Sequence, residues 1–254
     1  MHEPKSRAAD QAAGLRRIFG VAPARLAPIL IDPGCAAAQV ASIVRLAQAC
    51  ANAGERTLVV DCARAQIAAS LGLRARFDLV HAMRGECLLQ QTRLDAGPNL
   101  GVLPAARAAA QACETKTEFL PLLTRLTQGE CAADLVLMIM EPGQTALLRG
   151  ASERGEVVVP MPRERAGWSS LLRALAAVSD GTDIAGFRLL FPAWDAGTAA
   201  RLYAELVQAG RDRLGTELRF GGAVRVARDW LRVTRAMSDW DLLSLPRRQT
   251  VRTF

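Results

Sequence analysis

Residues Ile29 to Ser42, ILIDPGCAAAQVAS, read as a short apolar strand, a tight turn and the start of a helix. A loop in that setting can cradle a phosphate. Glycines let successive backbone N–H groups converge on the anion, a Lys neutralises it, and a Ser or Thr holds magnesium. Here Pro33 has no N–H to give, and Ala36, Ala37 and Ala38 resist the positive φ that glycine permits. Asp32 places a negative charge where the anion would approach, and Gln39 and Val40 stand where the Lys and the hydroxyl would be. Gly34, next to Cys35, is the loop's one glycine. The helix N-terminus remains a weak anion site, but phosphoryl transfer would have no electrostatic support.

Other chemistry has little material. His2 and His81 are the only histidines, too few for a His-based metal centre or a Ser-His-Asp triad, and His81 sits in the apolar-periodic segment Phe77 to Met83, where a structural role is expected. The six cysteines, Cys35, Cys50, Cys62, Cys87, Cys113 and Cys131, contain no C-x-x-C pair and are expected to be reduced. The formal charge of +7 comes almost wholly from Arg, because Lys occurs only at positions 5 and 116. From Arg201 onward there are eleven Arg against six acids. Arg225, Arg228, Arg232 and Arg235 recur at helical spacing opposite Val226, Trp230, Val233 and Met237, which predicts a basic face and a core-facing one. Such a face suits an anionic surface or an acidic partner, or is simply solvated; the aromatic-basic interleaving of a nucleic-acid platform is missing.

The elements that must position these residues alternate. Apolar runs of strand length occur at Ile29 to Ile31, Leu58 to Val60, Leu100 to Leu103, Leu135 to Met140, Val157 to Val159, Phe187 to Phe191 and Leu218 to Val226. Helix-period stretches lie between or after them at Val40 to Ala53, Glu118 to Thr127, Trp168 to Ala177, Ala199 to Leu214 and Ala227 to Met237. Strands of continuous Val, Ile and Leu are buried on both faces, so the pattern predicts a doubly wound α/β fold, a mostly parallel sheet covered by helices on both sides. Ligands in such folds bind beyond the carboxyl ends of the strands. Asp32 to Ala38, the residues after Asp61 and the turn Glu141-Pro-Gly143 are expected to share that edge. Length is that of one α/β domain with appendages, expected at 1–25 (helix and linker), 26–238 (α/β body) and 239–254 (tail). With neither a transmembrane run nor an apolar leader, the expected location is cytoplasmic.

Several stretches resemble MinD/ParA-type P-loop ATPases, and in particular the FlhG family (also called FleN or YlxH), which controls flagellar number and placement. DQAAGLRRIF at Asp10 to Phe19 is similar to the N-terminal D-Q-A-x-x-L-R motif of FlhG, and AGERTLVVDC at Ala53 to Cys62 to the second strand of MinD-type ATPases. RFDLVHAMRGE and NLGVLPAARA resemble the following helix and strand, and LGTELRFGGAVRVARDWLRVTR the last strand and helix. The departures are equally specific. Against the family's K-G-G-x-G-K-T/S loop, the signature Lys is Gly34 and the phosphate Lys is Gln39; the D-x-D pair reads Asp61-Cys62-Ala63, and the magnesium-supporting Asp falls in Met138-Ile139-Met140, with Glu141 the nearby acid. The resemblance therefore implies a pseudo-ATPase that binds neither ATP nor magnesium.

It also implies a partner, the FlhF-type GTPase, with flagellar basal-body or transcription-factor proteins as further partners and a peripheral place at the membrane or cell pole. Asp10 is a good N-cap, and Ala12, Leu15, Ile18 and Phe19 make a narrow apolar stripe. By resemblance Gln11 would reach into the nucleotide site of FlhF and help position water, while Leu15 and Arg16 anchor the helix. The residues themselves leave open whether this helix is a detachable effector or folds back on the body. A ParA-like positioning protein, touching DNA or anionic lipid through its basic C-terminal surface, and an active ATPase with a non-standard site are the alternatives. Pro246 would break an amphipathic membrane helix in the tail.

Overall fold

The computed structural model describes residues 24–32, 36–128, 131–151, 155–164, 168–211 and 214–245. Their strands are β1 (Arg25–Leu30), β2 (Thr57–Asp61), β3 (Leu94–Gly97), β4 (Leu100–Pro104), β5 (Leu135–Met140), β6 (Glu156–Pro160), β7 (Gly186–Pro192), β8 (Glu217–Val224) and β9 (Leu243–Ser244). The helices are α1 (Ala36–Asn52), α2 (Ile67–Ser70), α3 (Leu79–Met83), α4 (Ala106–Thr115), α5 (Leu120–Gln128), α6 (Trp168–Gly181), α7 (Ala196–Gly210) and α8 (Ala227–Ala236). Strand order is β3-β4-β2-β5-β1-β6-β7-β8, with β9 added to β1. The pairings are parallel except β3–β4 and β1–β9.

Period-two alternation divides each central strand between two cores. Leu26, Leu30, Val136, Met138 and Val157 join one face, packed with residues of α4 to α7 such as Ala108, Leu123, Leu172 and Leu202. Ala27, Ile29, Leu137, Ile139 and Val158 join the other, beneath Ile43 and Leu46 of α1 and Trp230 and Val233 of α8. Every residue of β5 is buried. The expected doubly wound sheet is the observed one.

Helix ends shift by a few residues from the sequence reading, as at Ala36–Asn52 and Ala196–Gly210, and three boundaries of the sheet and its surroundings differ as well. The two prolines and glycine of Gly20 to Pro28 suggest a linker, yet Arg25 to Pro28 lie within β1, in register with Leu135 to Met138. The Arg25 and Ile31 N–H groups donate to β5-side carbonyls, so alternation turns the Pro28 nitrogen to the opposite edge. On that edge β9 covers Arg25 and Leu26 and β6 begins at Ile29, so the missing donor falls at the seam between them. The last sheet run ends at Val224 rather than Val226, because Val226 is the extended N-cap of α8. The α/β body also continues past 238, through Leu245, whose N–H donates to the Ala24 carbonyl.

What anchors that C-terminal segment is a buried ion cluster. Glu156, 0% exposed, opens β6. It accepts from Arg188 Nε at 2.8 Å and Nη2 at 2.7 Å, and from Arg219 Nη1. Arg219 also pairs with Asp241 at 2.7 Å and Glu217 at 2.9 Å, and the Arg188 guanidinium lies 5.1 Å from the Trp240 ring centroid. Two guanidiniums compensate the one carboxylate, and their outer contacts hold residues 240–241 against the sheet.

Candidate functional site

Because β2, β5, β1 and β6 are adjacent and parallel, the ends of all four meet at one edge, which brings Asp32, Asp61 and Glu141 to it. Gly34 and Cys35 lie outside the described residues. Ala38 is exposed on the first turn of α1, whereas Gln39 and Val40 are buried. Gln39 is 1% exposed, and both ends of its amide are engaged. Its Oε1 accepts the Asp32 N–H at 3.1 Å, beyond β1, and its Nε2 donates to the Pro160 carbonyl at 2.8 Å, at the end of β6. The Gln39 side chain is thus a neutral bridge between two strand ends. Ser42, one turn on, spends its hydroxyl on the Ala38 carbonyl at 3.0 Å.

A second glutamine does the same one strand pair away. Gln144 Oε1 accepts the Glu141 N–H at 2.9 Å, and its Nε2 donates to the Cys62 carbonyl at 2.9 Å, joining the ends of β5 and β2. The sequence reading missed Gln144. The available signal was its place three residues after Glu141, with Pro142 opening the 3₁₀ segment Pro142–Leu148: a glutamine there can reach back to the cap N–H.

Asp61, at the end of β2, is buried, and its two oxygens accept the Ala65 N–H at 2.9 Å and the Ile67 N–H at 3.2 Å. Burial pushes its carboxyl above the ordinary Asp range, against the pull of those backbone bonds. The loop it organises carries Arg64 and Gln66 at φ 53° and 57°, the left-handed region that non-glycine residues rarely adopt. Burial likewise drives the Cys62 thiol well above its usual value, leaving it an inert packing group. Asp78 caps two helices, accepting from Val80 N in α3 and from Arg107 N and Ala108 N in α4. His81 accepts the Asp78 N–H at Nδ1, at 3.0 Å, the structural role expected of it. Among the described residues no group of three His, Cys, Asp or Glu side chains could hold a metal ion, and no helix is long and apolar enough to cross a membrane.

The basic residues Arg225, Arg228, Arg232 and Arg235 are all exposed, while Trp230, Val233 and Met237 are buried, as helical spacing requires. Val226 departs from the expectation. It is 47% exposed, because as N-cap it precedes the helical period. Asp229 accepts the Val226 and Arg225 N–H groups, each at 3.0 Å, and these bonds hold its carboxyl below the ordinary range. The proposed partner residues Asp10, Gln11, Ala12, Leu15, Arg16, Ile18 and Phe19 lie outside the described residues.

No family model matches the chain, and no curated protein matches its sequence. Solved structures do match in fold. The MinD cell division protein of Aquifex aeolicus is 13% identical, covering 88% of this chain and 100% of its own, with a TM-score of 0.64. A plasmid partition protein from Borrelia burgdorferi is 16% identical over 85% of this chain and 99% of its own, with a TM-score of 0.56. Cobyrinic acid a,c-diamide synthase from Mycobacterium smegmatis, solved with an ATP analog and magnesium, is 17% identical over 88% of this chain and 100% of its own, with a TM-score of 0.56. The fold of this chain is that of the MinD/ParA-like P-loop NTPases.

Proposed function

We propose that the chain is a regulatory pseudo-ATPase, a MinD/ParA-like scaffold that controls flagellar number and placement by binding the FlhF-type GTPase through Asp10 to Phe19. The observation that carries the loss of ATP chemistry is the Gln39 amide. It is uncharged, buried, and committed at both ends to backbone groups of its own fold. Asp61 is spent on two backbone N–H groups, and no acid precedes Glu141 in β5. This residue set does not fit a magnesium–triphosphate group, so no hydrolytic step is assigned to it. The flagellar partner rests on the DQAAGLR resemblance, and basal-body or transcription-factor proteins would engage the α/β body.

Two measurements test this. Calorimetric titration with ATP and magnesium is expected to show no binding, and micromolar magnesium-dependent binding would sink the pseudo-enzyme reading. The full chain is expected to stimulate GTP hydrolysis by its cognate FlhF, and Gln11→Ala to abolish stimulation while binding persists; no effect of the full chain on that GTPase would remove the flagellar assignment. A second reading is favoured by the four exposed arginines at the start and along the outer side of α8. On it the protein is a positioning factor touching DNA or anionic membrane, with retention that falls steeply with salt.

A further inference from the structure

Between α1 and α8 runs a groove of about 620 Å³. One wall is Arg45, Gln48 and Asn52 of α1, and the other is Arg225, Trp230 and Leu231. Its polar equipment is rich in donors. Neither the Arg45 nor the Arg225 guanidinium has a side-chain partner among the described residues. The Trp230 indole N–H, in a residue 4% exposed, has none either. The neighbouring carboxylate, Asp229, is already taken by two backbone N–H groups. The groove is also apolar at its α8 side, where Leu231 is 40% exposed beside Val226, two of the few large hydrophobic side chains that the described fold leaves outside its cores. Arginines flanking exposed aliphatic side chains make a surface that complements carboxylates and apolar side chains together.

The occupant follows from charge. Residues 1–23 carry four Lys or Arg against two acids, and residues 246–254 carry three Arg and no acid, so both ends of this chain are repelled. A second copy would bring the same uncompensated arginines to the contact. We infer that the groove between α1 and α8 docks an acidic amphipathic segment of a partner protein. The segment's carboxylates meet Arg45 and Arg225, and its apolar side chains meet exposed Val226 and Leu231. A helical segment with apolar side chains three and four residues apart supplies that pattern. This inference does not depend on whether the sheet edge has lost ATP.

The test is fluorescence anisotropy on the full-length protein with a labelled synthetic peptide that carries leucines at helical spacing flanked by glutamates. Its counterpart with Gln for every Glu, phosphatidylglycerol-containing vesicles and a short DNA duplex are compared. The acidic peptide is expected to bind, the Gln peptide to bind about tenfold more weakly, Arg45→Glu with Arg225→Glu to cost about tenfold or more, and Leu231→Ala a few-fold. Arg173→Glu, an equal charge change at an exposed position on α6, is expected to leave binding unchanged. The inference is overturned if Arg173→Glu weakens binding as much as the groove reversal, since net charge alone would then be responsible. It is equally overturned if the peptide fails to bind, or if the duplex or the vesicles are held through Arg45 and Arg225 in its place.

Discussion

If Gln39 is a structural bridge rather than the remnant of a ligand site, its value can be worked from its contacts. Gln39→Met conserves volume and deletes both hydrogen bonds. Each bond contributes about 0.5–1.5 kcal/mol net, and leaving a buried acceptor unpaired costs about 1–3 kcal/mol. The Pro160 carbonyl bond is buried and bears that penalty, whereas the Asp32 N–H is half-buried and recovers part of its loss from water. The expected destabilisation is about 2–4 kcal/mol, or a fall in Tm of roughly 4–16 °C for a domain of this size. Gln39→Lys introduces the Lys of the MinD/ParA-type loop it resembles but is expected to be worse, about 3–5 kcal/mol. An ammonium can donate to Pro160 yet cannot accept from Asp32, and it must carry charge where the side chain is 1% exposed. Urea unfolding followed by far-UV circular dichroism reads both variants, with ATP–magnesium calorimetry on the Lys variant alongside. A Met variant within about 0.5 kcal/mol of wild type would show that the bridge carries no load. A Lys variant that is stable and gains magnesium-dependent ATP binding would refute the reasoning outright, because the edge would then be an open site lacking one charge.

Further outcomes follow from other parts of the fold. Glu156→Ala leaves Arg188 without its buried partner and is expected to cost about 3–5 kcal/mol by denaturant unfolding, while Glu156→Gln, whose amide oxygen still accepts, costs less; equal effects would remove the ion cluster from the account. Gly155→Ala would put a Cβ 2.8 Å from the Leu243 nitrogen and 2.9 Å from the Asp241 carbonyl oxygen, so about 1–3 kcal/mol should be lost, with faster proteolysis at residues 240–245; an unchanged cleavage pattern would contradict the docking of β9. Burial raises the Asp61 carboxyl in the folded state, so the native chain binds a proton more readily than the unfolded one. Its contribution must therefore fall as pH rises from about 4, the unfolded value, through the folded one, and then level. Asp61→Asn lacks that decline, so its stability relative to wild type should improve over this window, and a constant difference would refute the assignment. Burial takes the Cys50 thiol to about 12 and the Cys62 thiol well above its usual value, so peptide mapping after alkylation near pH 8 should leave both unmodified in the native chain while half-buried Cys87 reacts.

The parts of the fold legible in the sequence are those whose signal is local. Leu135 to Met140 can only be a strand buried on both faces, and Trp168 to Ala177 keeps a helical period that the structure extends to Gly181. The strand β3 escaped notice because its four residues alternate around a single large apolar side chain, Leu94, and its pairing with β4 depends on a hairpin in which Gly97 and Asn99 take positive φ. β9 is two residues long and exists only because β1 offers an edge. Glu156 shows the limit most sharply. In EVVVP it reads as the polar first residue of a strand, and its partners are 32 and 63 residues away. Only the register of β6, β7 and β8, which sets Val158 beside Arg188 and Arg188 beside Arg219, turns three scattered charges into one buried cluster. At the candidate site the sequence shows an amide, Gln39, where the resemblance expects a Lys. That this amide spans two strands was not visible, since Pro160 is 121 residues distant.

The two glutamine bridges bear on where regulation can reside. Gln39 joins the ends of β1 and β6, Gln144 joins those of β5 and β2, and β1 and β5 are themselves paired along their whole length. The four central strands are therefore fastened at their carboxyl ends by groups the chain supplies itself. A ligand can bias a conformational equilibrium only through the difference in its affinity for two states. An edge held by neutral, internally satisfied amides offers a nucleotide little to gain in either. On the proposed function, control acts through surfaces whose polar groups still lack partners. In the described fold that condition is met at the groove between α1 and α8, where two guanidiniums lie beside exposed Leu231. The two features then divide the work, the bridged strand ends fixing the sheet and the groove with its unpartnered guanidiniums engaging the partner.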